Sequence, residues 1–123
     1  MIKDKIEDTL LLLGVPPQLR GFAYIADAVD IGISNPSSLY QITKVLYPDV
    51  AKRNGTTPTR VERAIRNAID STYMGAKNSE RLRTKLGDVA ALSERPTNSA
   101  FISVLCKKLS RNSDSLSDQE CVS

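Results

Sequence analysis

The stretch that decides the fold is Pro48-Asp49-Val50-Ala51-Lys52-Arg53-Asn54-Gly55-Thr56-Thr57-Pro58-Thr59-Arg60-Val61-Glu62-Arg63-Ala64-Ile65-Arg66-Asn67-Ala68-Ile69. It predicts two helices joined by a tight turn. Val50 and Ala51 lie on the first, Gly55 falls in the turn, and Val61, Ala64 and Ile65 begin the second. Ala51 is small where two helices must cross closely, and Gly55 can take a positive φ without a Cβ clash. Val61, Ala64, Ile65, Ala68 and Ile69 follow i, i+3, i+4, i+7, i+8 and make one apolar stripe. Opposite it stand Thr59, Arg63, Arg66, Asn67 and Asp70, with Arg60 and Glu62 on the shoulders. These include the residue types that read base edges in the major groove. Arginine pairs with both guanine acceptors, glutamate accepts from the cytosine amine, and asparagine suits adenine. They crowd the N-terminal half of the second helix, the part such a helix inserts. A solvated face laced by Glu62–Arg66 and Arg66–Asp70 pairs, worth a few tenths of a kcal/mol each, would explain the charges. It would not explain the turn glycine, the crossing alanine and the Thr-Thr turn, all in register.

Outward from this stretch, every strong periodicity is helical. Ile2, Ile6, Leu10 and Leu13 recur at three- and four-residue spacing before Gly14-Val15-Pro16-Pro17 stops the helix. A second helix carries Leu19, Phe22, Ala26 and Val29 on one stripe, ends at Gly32 and turns at Asn35-Pro36. A third places Leu39, Ile42 and Leu46 together under a Ser37 or Ser38 cap. Pro48 then opens a short helix to about Asn54, and Pro58 opens the most regular one, to about Met74. A weaker helix is expected near residues 80–86, and a last one near 98–109. No alternating β-branched stretch reaches strand length. The expectation is therefore an all-α, six-helix domain over residues 1–109, with a helix-turn-helix at about 48–74. Residues 110–123, with five serines and three acids, carry too little apolar surface to offset ordering entropy and are expected as a disordered acidic tail.

Composition narrows the chemistry. The chain has 123 residues, 41% hydrophobic and 25% charged, with no histidine or tryptophan and two cysteines. Histidine-based triads, general bases and zinc or haem ligation are excluded, and two thiols cannot build a four-thiolate site. No enzymatic function and no cofactor is expected. The longest apolar run, Leu10 to Leu13, is too short to span a bilayer, and the mixed charges of residues 1–8 make no secretion signal. The expectation is a cytoplasmic protein with no membrane partner and reduced thiols. The net charge of +3 is polarised. Residues 1–34 and 112–123 are net acidic, while 35–111 are basic, which suits an anionic partner for the middle.

Other residues read as structural. Cys106 shares a stripe with Ile102, Leu105 and Leu109 and reads as a small core residue; Cys121 lies in the tail. Asp27 and Asp30, one turn apart, lack a third metal ligand and read as a solvated helix face. Tyr24, Tyr40, Tyr47 and Tyr73 are spread among helices rather than set as a stacking platform, which argues against single-stranded RNA.

Longer motifs add a resemblance. Ile42-Thr43-Lys44-Val45-Leu46-Tyr47-Pro48-Asp49-Val50-Ala51-Lys52, then Thr56-Thr57, then the run from Arg60 to Ile69, closely resemble the C-terminal effector domain of the master sporulation response regulator of endospore-forming bacteria. Gly14-Val15-Pro16, Arg20-Gly21-Phe22, Tyr24, Pro96-Thr97-Asn98-Ser99 and Phe101-Ile102 are similar to its ends. The resemblance covers about residues 6–109. It implies a six-helix domain on double-stranded promoter DNA, reading a TGTCGAA-like box. The domain would be a monomer or weak dimer in solution and a tandem dimer on repeated boxes. It implies base reading by Arg60, Glu62, Arg63 and Arg66, and phosphate contacts from Lys52, Arg53, Thr56, Thr57 and Thr59. Asn67 completes the base-reading set, standing where the family has histidine. Asn54 and Gly55 replace an aromatic and an asparagine, and Asn54 is expected to weaken the packing beneath it. Residues 76–86 differ in length and charge from the family pattern. In the family this region is associated with the sigma subunit of RNA polymerase, so Lys77, Arg81, Arg83 and Lys85 are the candidate polymerase contacts. The family's phosphoacceptor receiver is not in this sequence. The alternative reading is a helical interaction module that binds a sigma subunit or another regulator without reading DNA.

Overall fold

The computed structural model describes residues 2–74 and 96–122, and among them every regular element is helical. Five α-helices appear: α1 (Ile2–Leu13), α2 (Arg20–Ser34), α3 (Tyr47–Asn54), α4 (Pro58–Tyr73) and α5 (Asn98–Val122). The weak helix expected near residues 80–86 lies outside the described residues.

Helix α2 is the axle. Ten of its fifteen residues are buried, and it packs against α1, α3, α4 and α5. A helix apolar nearly all round belongs in a core. Around it close Ile6, Leu10 and Leu13 of α1, Val50 and Ala51 of α3, Val61, Ile65, Ala68 and Ile69 of α4, and Phe101, Ile102 and Leu105 of α5. The closest crossing is at Gly21. A Cβ built there would sit 2.2 Å from the Ala64 carbonyl oxygen and 2.7 Å from the Ala68 Cβ, so only glycine lets α2 and α4 meet this way.

Four local readings change. Gly32 does not end α2, which runs to Ser34. Its missing side chain instead admits the Cys106 Sγ and the Leu39 side chain, 2.6 and 2.9 Å from where a Cβ would stand. The third helix expected from Leu39, Ile42 and Leu46 is a short 3-10 helix (Pro36–Tyr40) followed by a π-helical turn (Ile42–Leu46). The Gln41 carbonyl accepts from both the Val45 and Leu46 amides, at 2.8 and 3.3 Å. The last residue of the π turn, Leu46, and the next residue, Tyr47, are both buried. The short helix expected to open at Pro48 is α3, which starts one residue earlier, at Tyr47 directly after the π turn, with Pro48 in its first turn and its end at Asn54 as expected. Helix α5 runs on to Val122, where the sequence reading stops a helix at Leu109 and expects a disordered tail. No proline or glycine interrupts residues 98–122, and extending a helix already anchored by Leu105 and Leu109 requires no new nucleus.

Asp27 corrects a further expectation. It is buried, 5% exposed, rather than solvated. Lys3 Nζ lies 3.0 Å from its Oδ1, Asn54 donates an Nδ2 hydrogen to its Oδ2 at 2.8 Å, and the Arg53 guanidinium stands 3.8 Å away. One carboxylate on α2 thus ties α1 and α3 together. Asn54 also donates to the Val50 carbonyl at 2.8 Å. The hydrogen bond and charge of Asp27 push the Lys3 ammonium above its ordinary value. Cys106 is a core residue as expected. Its thiol faces the Val29 carbonyl at 3.5 Å, and burial pushes it up to about 12.

Two substitutions test this frame. Gly21→Ala should lower stability by about 3 kcal/mol, the upper part of the overpacking range, because the obstacle is backbone rather than a movable side chain. Denaturant melts would read it, and an unchanged midpoint would show that α2 and α4 do not cross at Gly21. Asp27→Ala should cost about 2 kcal/mol, the size of a hydrogen bond to a charged group, because it removes the carboxylate that Asn54 and Lys3 share. Asp30→Ala, which breaks a more exposed pair, should cost less than about 1 kcal/mol.

Candidate nucleic-acid interface

The α3–α4 corner is built by backbone rules. Gly55 takes φ 62° and ψ 40°, the left-handed region, and caps α3. The Thr56 amide then returns to the Ala51 carbonyl at 3.0 Å, a 6→1 closure that satisfies the helix end. Thr57 starts α4 as its N-cap: its Oγ1 accepts from the Arg60 amide at 3.3 Å, and Pro58 occupies the first helical position. Thr57 therefore has a structural duty besides the phosphate contact expected of it.

Helix α4 divides into two faces. Val61, Ile65, Ala68, Ile69 and Thr72 are buried, while Thr59, Arg60, Arg63, Arg66 and Asn67 are exposed, with Glu62 and Asp70 half-buried. The expected stripe and the opposite polar face are both present. Arg60 and Arg63 make no side-chain hydrogen bond or ion pair among the described residues. Arg66 differs, because its guanidinium pairs with the Glu62 carboxylate one turn earlier. Lys52 and Arg53 in the last turn of α3 are both exposed, with Thr56 half-buried and Thr57 exposed in the turn. Arg53 is engaged: its Nη1 donates to Asp30 Oδ2 at 2.9 Å. Any anion it contacts competes with that carboxylate.

Lys52, Arg53, Thr56, Thr57, Thr59, Arg60, Glu62, Arg63, Arg66 and Asn67 thus lie on the end of α3, the turn and α4. Lys77, Arg81, Arg83 and Lys85 lie outside the described residues. Sequence reasoning assigned no role to two residues that support the corner. Asn98, 8% exposed at the start of α5, donates its Nδ2 hydrogens to the Glu62 carbonyl oxygen at 3.0 Å and to the Tyr47 hydroxyl at 3.2 Å. Burial pushes the Tyr47 phenol above its ordinary value, so it stays a neutral hydroxyl. An asparagine after Pro-Thr reads as a helix start, and nothing in its spacing points to partners 36 and 51 residues away.

No group of three or more acidic, cysteine or histidine side chains able to hold a metal occurs among the described residues, and none of their helices is long and apolar enough to cross a membrane. A family model described as sporulation initiation factor Spo0A C terminal matches residues 6–109. Members of that family are DNA-binding domains of a sporulation regulator, not enzymes. The match starts inside α1 and ends at Leu109, so it encloses the whole core and the α3–α4 corner. The chain belongs to the Spo0A C-terminal family of sporulation transcription regulators.

Proposed function

We propose that α3 and α4 act as a helix-turn-helix, with α4 as the recognition helix in the major groove of a TGTCGAA-like promoter box. The observation that carries this reading is the exposed face of α4, where Arg60 and Arg63 stand clear of the acidic side chains described here. Arginines not spent on internal pairs are available to guanine O6 and N7. The Glu62–Arg66 pair sits beside them, so Glu62 can turn to a cytosine amine while Arg66 takes the adjoining guanine. Asn67, one turn past Arg63, reads the edge of the box where its relatives carry histidine. Lys52, Thr56, Thr57 and Thr59 flank the helix where phosphates would pass, and set register rather than sequence. Arg53 joins them only by leaving Asp30. Head-to-tail binding of two copies on repeated boxes follows from the same reading.

Two measurements test it. Affinity for a labelled box duplex should fall linearly on a log–log plot as salt rises, because phosphate contacts release counterions. A salt-independent affinity would favour a protein partner instead. Arg63→Ala should cost about 1–3 kcal/mol on the box and little on unrelated duplex, whereas Lys52→Ala should weaken both alike. Equal losses from both substitutions on both duplexes would show that Arg63 reads no base.

A further inference from the structure

We infer that Asn98 is a positioning residue for base readout: from the start of α5 it fixes the roll of α4 about its own axis. The inference rests on the proposed reading of DNA by α4. Helix α4 is held from α2 at Ala64 and Ala68, where Gly21 lets the backbones touch, and from α3 through the Gly55 turn. Those two anchors exclude a large roll of α4, but neither is a side-chain hydrogen bond, whose direction resists a small one. Asn98 supplies the directed bond. Its Nδ2 reaches the Glu62 carbonyl oxygen, on the half of α4 that carries Arg60 and Arg63, and the second hydrogen goes to Tyr47 at the start of α3. A helical carbonyl that already serves its own ladder has a second lone pair for such a bond. One buried amide therefore links α3, α4 and α5 at the readout end.

Leverage explains why this matters for specificity more than for stability. Side-chain tips lie about 6 Å from a helix axis, so a roll of about 10° displaces them by about 1 Å. Hydrogen bonds to base edges fail at that displacement, while phosphate contacts from long, flexible lysines adapt to it. The hydrogen-bonding amide, rather than the volume of the residue, is the active feature.

The test compares wild type with Asn98→Asp and Asn98→Ser. Aspartate keeps the shape and suits a helix N-terminus, but its carboxylate has no hydrogen for the Glu62 carbonyl. Serine stays polar and small but is too short to reach. Affinities for a TGTCGAA box and a scrambled duplex are measured at one salt concentration, below each variant's own melting temperature. Both variants should lose about tenfold or more on the box and keep their scrambled-duplex affinity and salt slope. The carbonyl carbon-13 shift of Glu62 should move with that loss. Tyr47→Phe, which leaves the Asn98–Glu62 bond in place, should keep discrimination between the duplexes. Equal loss on both duplexes, or undiminished discrimination in either variant, would overturn the assignment. If wild type itself fails to distinguish the duplexes, base reading by α4 fails, and the positioning role falls with it.

Discussion

The contact at Gly21 constrains the rest of the molecule. Where α2 crosses α4, no side chain separates the two backbones, and the Ala64 carbonyl fills the space a Cβ would need. So close an approach sets which stripe of α4 faces inward, and the inward stripe determines which residues face out. Val61, Ile65, Ala68 and Ile69 are fully buried, so a roll of α4 by even one residue would drive an arginine into the core. Burying an unpaired guanidinium costs far more than any surface contact could return. The exposure of Arg60 and Arg63 is thus a consequence of the crossing.

A second constraint acts from the other side of α2. The buried Asp27 carboxylate holds Lys3, Arg53 and Asn54, and so ties α1 and α3 to the same helix that α4 crosses. Buried charges usually destabilise unless their partners are well placed. Here Asn54 contributes a directed neutral donor, and Lys3 and Arg53 approach from solvent with their side chains half exposed. The arrangement makes the last turn of α3 an extension of α2, which is what a turn ending in a flexible glycine requires. It also places Arg53 between two masters, since Asp30 holds it at 2.9 Å and any phosphate at the corner would draw it away.

Much of this was legible in the sequence because it rests on periodicity and on local backbone rules. The α4 stripe, the Gly55 turn, the Gly14 stop after α1 and the buried Cys106 each follow from neighbours within about one helical turn. What was not legible depends on partners far away in the chain. Asp27 reads as solvated because its cation and its amide arrive from residues 3 and 54. Gly32 reads as a helix stop because the thiol it admits belongs to residue 106. The π turn at Ile42–Leu46 cannot be seen in a stripe of Leu39, Ile42 and Leu46, since that spacing suits an ordinary helix equally well. The extension of α5 beyond Leu109 escaped a reading based on apolar content, because a helix can be carried outward by an anchored beginning. At the candidate interface the exposure of the charged residues followed from type and face, while the partners of Asn98 were missed for the same reason as those of Asp27.

These features separate two tasks along one helix. The inner face of α4 holds the domain together through residues with no polar side-chain atoms except Thr72, whose hydroxyl donates back to the Ala68 carbonyl at 2.7 Å. On the outer face, Arg66 and Glu62 form an ion pair open to solvent on the arginine side, of a kind worth at most about 1 kcal/mol. A surface with so little structural duty can change from relative to relative without unfolding the protein. Asn67 occupies such an exposed position, on a helix whose other side is buried. The turn is where the two tasks would meet, because Thr57 caps α4 through its own hydroxyl and is also a proposed phosphate contact. On that proposal recognition can diverge along α4, while the Gly55–Thr57 turn serves the fold and the ligand with the same atoms.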